Sequence, residues 1–352
     1  MDREVLAEPV GDQLYFAGEA LNPHYQSSVH AAYESGMIAC KAIEKANHKR
    51  IAIIGAGVCG LSAAKKLSEK GVSVTVLEGR DRIGGRIQTD RSLGAAVDLG
   101  ATWIHGPNGN PVSALADKAR LKRVETDDEY VIRGKNGSKV WPIFAPNWLF
   151  EVMEMTPTGT GLDQLNLKET ERQFKEFGYG YPGKDVLFPN GYEDILGVLA
   201  GEYEIELSTK VTQIAYSDKG VEVGSELNET KYYDAVLITV PLGVLKKKII
   251  SFSPELSQER LHAVARMGMG TLDKVYLKFE EPFWDKDATT ILTPDTGLPR
   301  GQFNFWINFY KYLGEPIIMG FNAGNSAISL SKKSDGNFIT DALNTLAIAY
   351  PS

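Results

Sequence analysis

The stretch RIAIIGAGVCGLSAAKKLSEKG, residues 50–71, constrains this chain more than any other. A fully apolar run enters a glycine turn, an apolar-periodic helix follows and stops at Gly71, and VSVTVLEG supplies a second strand. That is a βαβ unit of about thirty residues, which predicts a parallel sheet. Within it Gly55, Gly57 and Gly60 form the G-x-G-x-x-G fingerprint in its required context. Gly55 permits the tight turn, Gly57 lets backbone approach a pyrophosphate, and Gly60 permits close helix packing. Glu78 ends the second strand where an acid is expected to meet ribose hydroxyls.

A second glycine pair distinguishes between dinucleotides. Arg82, Gly84, Gly85 and Arg86 follow Glu78 almost directly. A nicotinamide cofactor gives no reason for another glycine pair there. FAD is longer and needs a further loop where backbone and Arg86 can meet phosphate oxygens.

Composition narrows the class. With 352 residues the chain is longer than one core usually serves, and two intertwined domains are expected. The formal charge of −7 argues against a nucleic-acid partner. Only two cysteines, Cys40 and Cys59, occur, so there is no disulfide framework, and a reducing, cytoplasmic setting is expected. No stretch is long enough to span a membrane, and the first residues lack the apolar run of a signal peptide. The sequons at Asn136 and Asn228 read as accidental in such a setting.

Along the chain, QLYFAGEA reads as a buried strand and turn, and residues 29–47 as a helix, with Val29, Ala32, Tyr33, Met37, Cys40 and Ile43 at helical spacing. EYEIELSTKVTQIAYSDKGVEVGS and YDAVLITVP read as strands. LDKVYLKFE and PIIMGFNAG suggest a second sheet, and a helix is expected from Gly336 to Tyr350.

VLEGRDRIGGR followed by DLGATWIHGPNGNP resembles the FAD-dependent amine oxidases, a family that includes monoamine oxidases, polyamine oxidases and flavin-dependent histone lysine demethylases. FPNGYEDIL, YDAVLITVPLGVLK and MGMGTLDKVYLKFEEPFW agree in the same order. The resemblance implies an α/β fold: a Rossmann-like FAD-binding domain of the glutathione-reductase type with an interleaved α+β substrate domain. It places the FAD domain at 1–110 and 188–250 and the substrate domain at 111–187 and 251–352.

The order is that of a circular permutation. In the family a strand and helix of the type F-A-G-E-x-T…V-H-G-A-Y-x-S-G come last, whereas here FAGEALNPHYQSSVHAAYESG comes first. A strand–helix–strand crossover from FAGEA to IAIIGAG is compatible with a parallel sheet. A family segment resembling W-x-x-D-P-x-x-x-G-S-Y-S, which carries flavin contacts and an aromatic wall, has no counterpart at either end. A permutant that does without it, a chain with residues removed, and a piece spanning two tandem copies all fit.

The resemblance implies noncovalent FAD. Gly55, Gly57, Gly60, Glu78, Arg80, Gly84, Gly85 and Arg86 would hold its nucleotide half, with the backbone of Val211 at adenine. Gly18 and Glu19 would meet the ribitol, and Ser28 and Val29 would open a helix aimed at the pyrimidine oxygens. That helix end would favour the charge of a reduced flavin. Gly100, Ala101, Thr102 and Trp103 would lie along the ring, with Ala31 adding a methyl where helix backbone approaches it. Lys274 would hold a water near the flavin, and His105 would bond the substrate amine. Trp284, Phe303, Phe305, Trp306 and Phe309 read mainly as core.

The expected reaction is polyamine-oxidase-like. Hydride passes from an amine α-carbon to flavin N5, the imine is hydrolysed, and dioxygen is reduced to hydrogen peroxide. The alternatives are an FAD-binding relative without turnover, an interaction module of the demethylase type, and a desaturase or amino-acid oxidase on the same fold.

Overall fold

The structure, a computed structural model, describes residues 2–141, 152, 158–166, 168, 171–172, 180–227, 229–294, 297–298 and 301–351. The sequon at Asn228 and part of the substrate segment expected over 111–187 lie outside them. Among the described residues no helix is long and apolar enough to cross a membrane.

A five-stranded parallel sheet is built in the spatial order Leu14–Phe16, Ala235–Ile238, Arg50–Ile54, Ser73–Leu77, Glu204–Glu206. Its central strands are mostly apolar because both faces are covered. Alternation divides them cleanly. Ile51, Ile53, Val74, Val76 and Leu237 enter the core under the helices Val29–Ala46 and Val58–Ser68. Ala52, Ile54, Leu77, Val236 and Ile238 enter the core on the opposite face. Truncating one of these isoleucines or leucines to alanine costs about 2–5 kcal/mol.

The N-terminal strand therefore does lie in the nucleotide-binding sheet, parallel to Arg50–Ile54, but Ala235–Ile238 is interposed between them. The connecting helix Val29–Ala46 ends as its sequence suggests, with Asn47 in the left-handed conformation at φ 57°. It packs closely on Val58–Ser68. A Cβ at Gly36 would sit 2.7 Å from the Cys59 carbonyl oxygen.

A four-stranded sheet over Val211–Ser217, Gly220–Ser225, Thr230–Tyr233 and Ser251–Ser253 covers the opposite face. Leu256, Val264 and Met267 join the same core, so it extends past the boundary expected at residue 250. A further five-stranded sheet runs in the order Leu272–Lys278, Ile317–Ala323, Gln302–Asn308, Thr290–Leu292, Tyr130–Ile132. The final helix is Asp335–Ala349. Phe303, Trp306, Phe309 and Trp284 are buried at 3% exposure or less, which makes them core.

Candidate active site

The glycine turn has the geometry its fingerprint requires. Gly55 holds φ +111°, and a Cβ at Gly60 would fall 2.0 Å from the Gly55 carbonyl oxygen. Gly57 is the N-cap of Val58–Ser68 with no side chain capping it, and a Cβ there would meet nothing within 4 Å. An open cradle at an uncapped helix N-terminus is what a pyrophosphate needs.

The second glycine loop is seated on the first. The Gly84 N–H donates to the Ala56 carbonyl at 2.8 Å, and Gly57 and Gly84 form a parallel bridge. Arg82 pins the loop from within by donating to the carbonyls of Ile83, Gly85 and Ile87, and Arg80 reaches the Gly85 carbonyl. Glu78 joins strand end to turn. Its carboxylate accepts from the Ala56 N–H at 2.7 Å and the Arg80 N–H at 2.9 Å. A carboxylate has about four acceptor sites, so about two are left for ribose hydroxyls. The Thr209 N–H donates to the Glu78 carbonyl at 2.8 Å, which brings the segment leading into Val211 alongside.

The N-terminal segment closes on this loop. Arg86 Nη1 lies 2.8 Å from Glu19 Oε1, and the Ser27 N–H donates to Glu19 Oε2 at 2.9 Å. Gly18 adopts φ +145° with open space at its Cβ position. Ser28 caps Val29–Ala46 by accepting from the Ala31 N–H at 3.2 Å. Ala31 differs from expectation. It is fully enclosed, so its methyl fills the protein's own interior rather than an open flavin face.

Lys274 projects from Leu272–Lys278 onto the segment 98–103. Its ammonium donates to the Asp98 carbonyl at 3.1 Å, to the Gly100 carbonyl and to the Thr102 hydroxyl. The Trp103 and Phe321 rings lie 5.9 and 5.8 Å from Nζ. Burial pulls Lys274 down to about 8, against the opposing pull of Asp98. Asp98, which sequence reasoning had not singled out, is itself buried. Burial pushes it up to about 6, although the Thr89 hydroxyl and the Tyr192 N–H donate to its carboxylate.

His105 follows the strand Trp103–Ile104, with its ring more than half exposed. Its Nδ1 lies 2.5 Å from Asp185 Oδ2. Asn110 ties the region to the start of Val29–Ala46, donating to the His105 carbonyl at 3.2 Å and lying 3.4 Å from His30 Nδ1. Tyr25 and Tyr181 pack against the His30 ring at 5.0 and 5.3 Å. Asp185, His30, Tyr25 and Tyr181 carry no spacing signal, because strand pairing and helix packing bring them together. A separate cleft of about 730 Å³, bordered by Phe283, Trp284 and Tyr350, contains none of these groups.

Two glycine loops joined edge to edge, an acid at the end of the second strand and an uncapped helix start define a flavin-type dinucleotide-binding protein. The profile described as "Flavin containing amine oxidoreductase" matches residues 58–135 and 123–352. The chain belongs to that family, and its cofactor is FAD. Among its relatives, a probable polyamine oxidase 4 from Arabidopsis thaliana is 31% identical over 349 residues, covering 82% of this chain and 70% of that protein. Polyamine oxidase 4 from Oryza sativa subsp. japonica is 29% identical, covering 90% of this chain and 77% of that protein. A solved triple mutant of putrescine oxidase, redesigned in its cofactor binding, shares the fold. Its TM-score is 0.64 at 20% identity, over 86% of this chain and 81% of that one.

Proposed function

We propose that this FAD-dependent amine oxidase acts on a polyamine, with FAD bound noncovalently. The reading is carried by the Lys274 ammonium, which lies against Gly100 and Thr102 in the segment leading to His105. When bound, FAD supplies the acceptor for a hydride from the amine α-carbon. Overall, a secondary amine, water and dioxygen give an aldehyde, a shorter amine and hydrogen peroxide.

The chain's own groups do the rest. Residues 1–110 and 188–250 form the cofactor half, and 111–187 with 251–352 the substrate half. Gly57, Gly84 and Gly85 open the phosphate cradle, and Arg86 brings positive charge beside it. Glu78 takes the ribose hydroxyls, and Glu19 with Gly18 borders the ribitol. Val29–Ala46 aims its N-terminus, positive in its dipole, at the ring end where negative charge gathers. His105 bonds the substrate amine, and Lys274 releases one of its three acceptors to orient a water. The permuted order has its support in the place of Leu14–Phe16 in the nucleotide sheet.

The occupied hydrogen bonds of Lys274 favour a second reading, an FAD-binding relative without turnover. One experiment separates the two. Anaerobic spermine or N-acetylspermine should bleach the visible flavin band of the holoprotein. Bound flavin that keeps its colour with every polyamine tried would sink the first reading and support the second.

A further inference from the structure

His105 and Asp185 meet through strand register. Val186–Leu187 pairs antiparallel with Trp103–Ile104, Trp103 opposite Leu187 and Ile104 opposite Val186. One further step along the ladder puts His105 opposite Asp185. On its other side the same strand pairs with Val124–Glu125, and one step beyond lies Thr126. The Thr126 N–H and hydroxyl donate to the Asp185 carbonyl at 2.8 and 3.1 Å. The Asp185 backbone is therefore fixed from both flanks.

Its carboxylate is fixed as well. Oδ2 lies 2.5 Å from His105 Nδ1, and Oδ1 accepts from the Gly106 N–H at 3.1 Å. Only glycine fits at 106, since it holds φ +61° and a Cβ there would fall 1.6 Å from the Tyr181 carbonyl oxygen. Burial pushes the Asp185 carboxyl up, but its bond and charge interaction with His105, with the Gly106 N–H, outweigh this and hold it below its ordinary value. It is charged at neutral pH. A carboxylate only accepts, so the proton of the neutral imidazole sits on Nδ1 and Nε2 is the free nitrogen.

We propose that Asp185 is a positioning residue for amine oxidation, holding His105 in the Nδ1–H form with Nε2 offered to the substrate amine. The proposal rests on the reading of His105 given above. The other titratable groups nearby are His30, Glu34, Tyr25, Tyr181 and the adjacent Lys184. Burial holds His30 down to about 4, so it stays neutral at neutral pH. Tyr181 is pushed up by burial and by its bond to Glu34, so it stays protonated.

The test uses the holoprotein. Nitrogen-15 NMR of the imidazoles, with His105→Gln to assign the signal, should show Nδ1 protonated and Nε2 bare in the neutral ring. The opposite tautomer would overturn the proposal, and this measurement needs no change at Asp185. Asp185→Asn should weaken the Nδ1–H preference in the same spectrum. It should also slow anaerobic flavin reduction by spermine at pH 7 roughly tenfold, and Asp185→Glu should recover part of the rate. An unchanged tautomer in Asp185→Asn, with His105→Gln slow, overturns the pairing alone. Wild-type reduction rates in His105→Gln instead overturn the role of His105 and any catalytic part for its partner.

Discussion

Glu19 and Arg86, 67 positions apart, form an ion pair at 2.8 Å that ties the N-terminal segment to the second glycine loop. The Arg86 side chain is 56% exposed, so the pair by itself contributes at most about 1 kcal/mol to stability. Its consequence is positional: it fixes the segment 18–27 against the loop that carries Gly84 and Gly85. Glu19→Gln should leave the melting temperature of the apoprotein nearly unchanged. It should weaken FAD binding about tenfold, the worth of one charge-assisted hydrogen bond. Fluorescence titration of the apoprotein with FAD measures this, and an unaltered affinity would count against the arrangement.

Gly57 and Gly60 belong to one motif but should fail differently as alanine. Gly57→Ala places its methyl in open space at an ordinary φ of −79°, so the apoprotein should melt within about 0.5 kcal/mol of wild type while FAD affinity collapses. Gly60→Ala drives a methyl to 2.0 Å from the Gly55 carbonyl oxygen and should cost the apoprotein about 1–3 kcal/mol. Calorimetry of the two apoproteins decides it, and equal melting would contradict the geometry.

Lys274 predicts an alkaline signature. Burial lowers it from 10.5 to about 8, so between those values the unfolded chain binds a proton that the native protein does not. Stability from this group therefore rises with pH across that window, by on the order of 3 kcal/mol. Urea denaturation should show wild type gaining on Lys274→Met from pH 8 to 10. A constant difference between the two would mean that Lys274 is not desolvated.

His30 acts at the acid end. Burial depresses it from 6.5 to about 4, so the stability it contributes is complete above 6.5 and lost as pH falls toward 4. Native protein should weaken over that range by on the order of 3 kcal/mol relative to His30→Asn. Parallel pH-dependent denaturation curves for the two proteins would refute this.

The parts legible in the sequence were those whose cause is local. The apolar runs IAIIG and AVLIT could only be strands buried on both faces, and the spacing of Gly55, Gly57 and Gly60 fixed the turn between strand and helix. The helical spacing of Val29, Ala32, Tyr33, Met37, Cys40 and Ile43 marked the helix Val29–Ala46. The helix Asp2–Ala7 was not legible. It is six residues with no apolar period, and the distant Arg260 holds it by donating to the carbonyls of Leu6 and Glu8. Asp98 stood inside a recognised motif, yet its role depends on Thr89, Tyr192 and Lys274 converging on one buried spot. Asp185 depends wholly on a register between strands about eighty residues apart, which no local pattern encodes.

The edge position of Leu14–Phe16 has a consequence for the order of assembly. Among the described residues its partner in the sheet is Ala235–Ile238, more than two hundred positions later. Arg260, which grips the carbonyls before it, comes 254 positions after Leu6. Leu14–Phe16 must therefore wait for partners that lie that much later in the sequence. Such non-local closure is slow and leaves apolar surface uncovered in the interval. The strand Leu14–Phe16 is thus among the last parts of this sheet to settle.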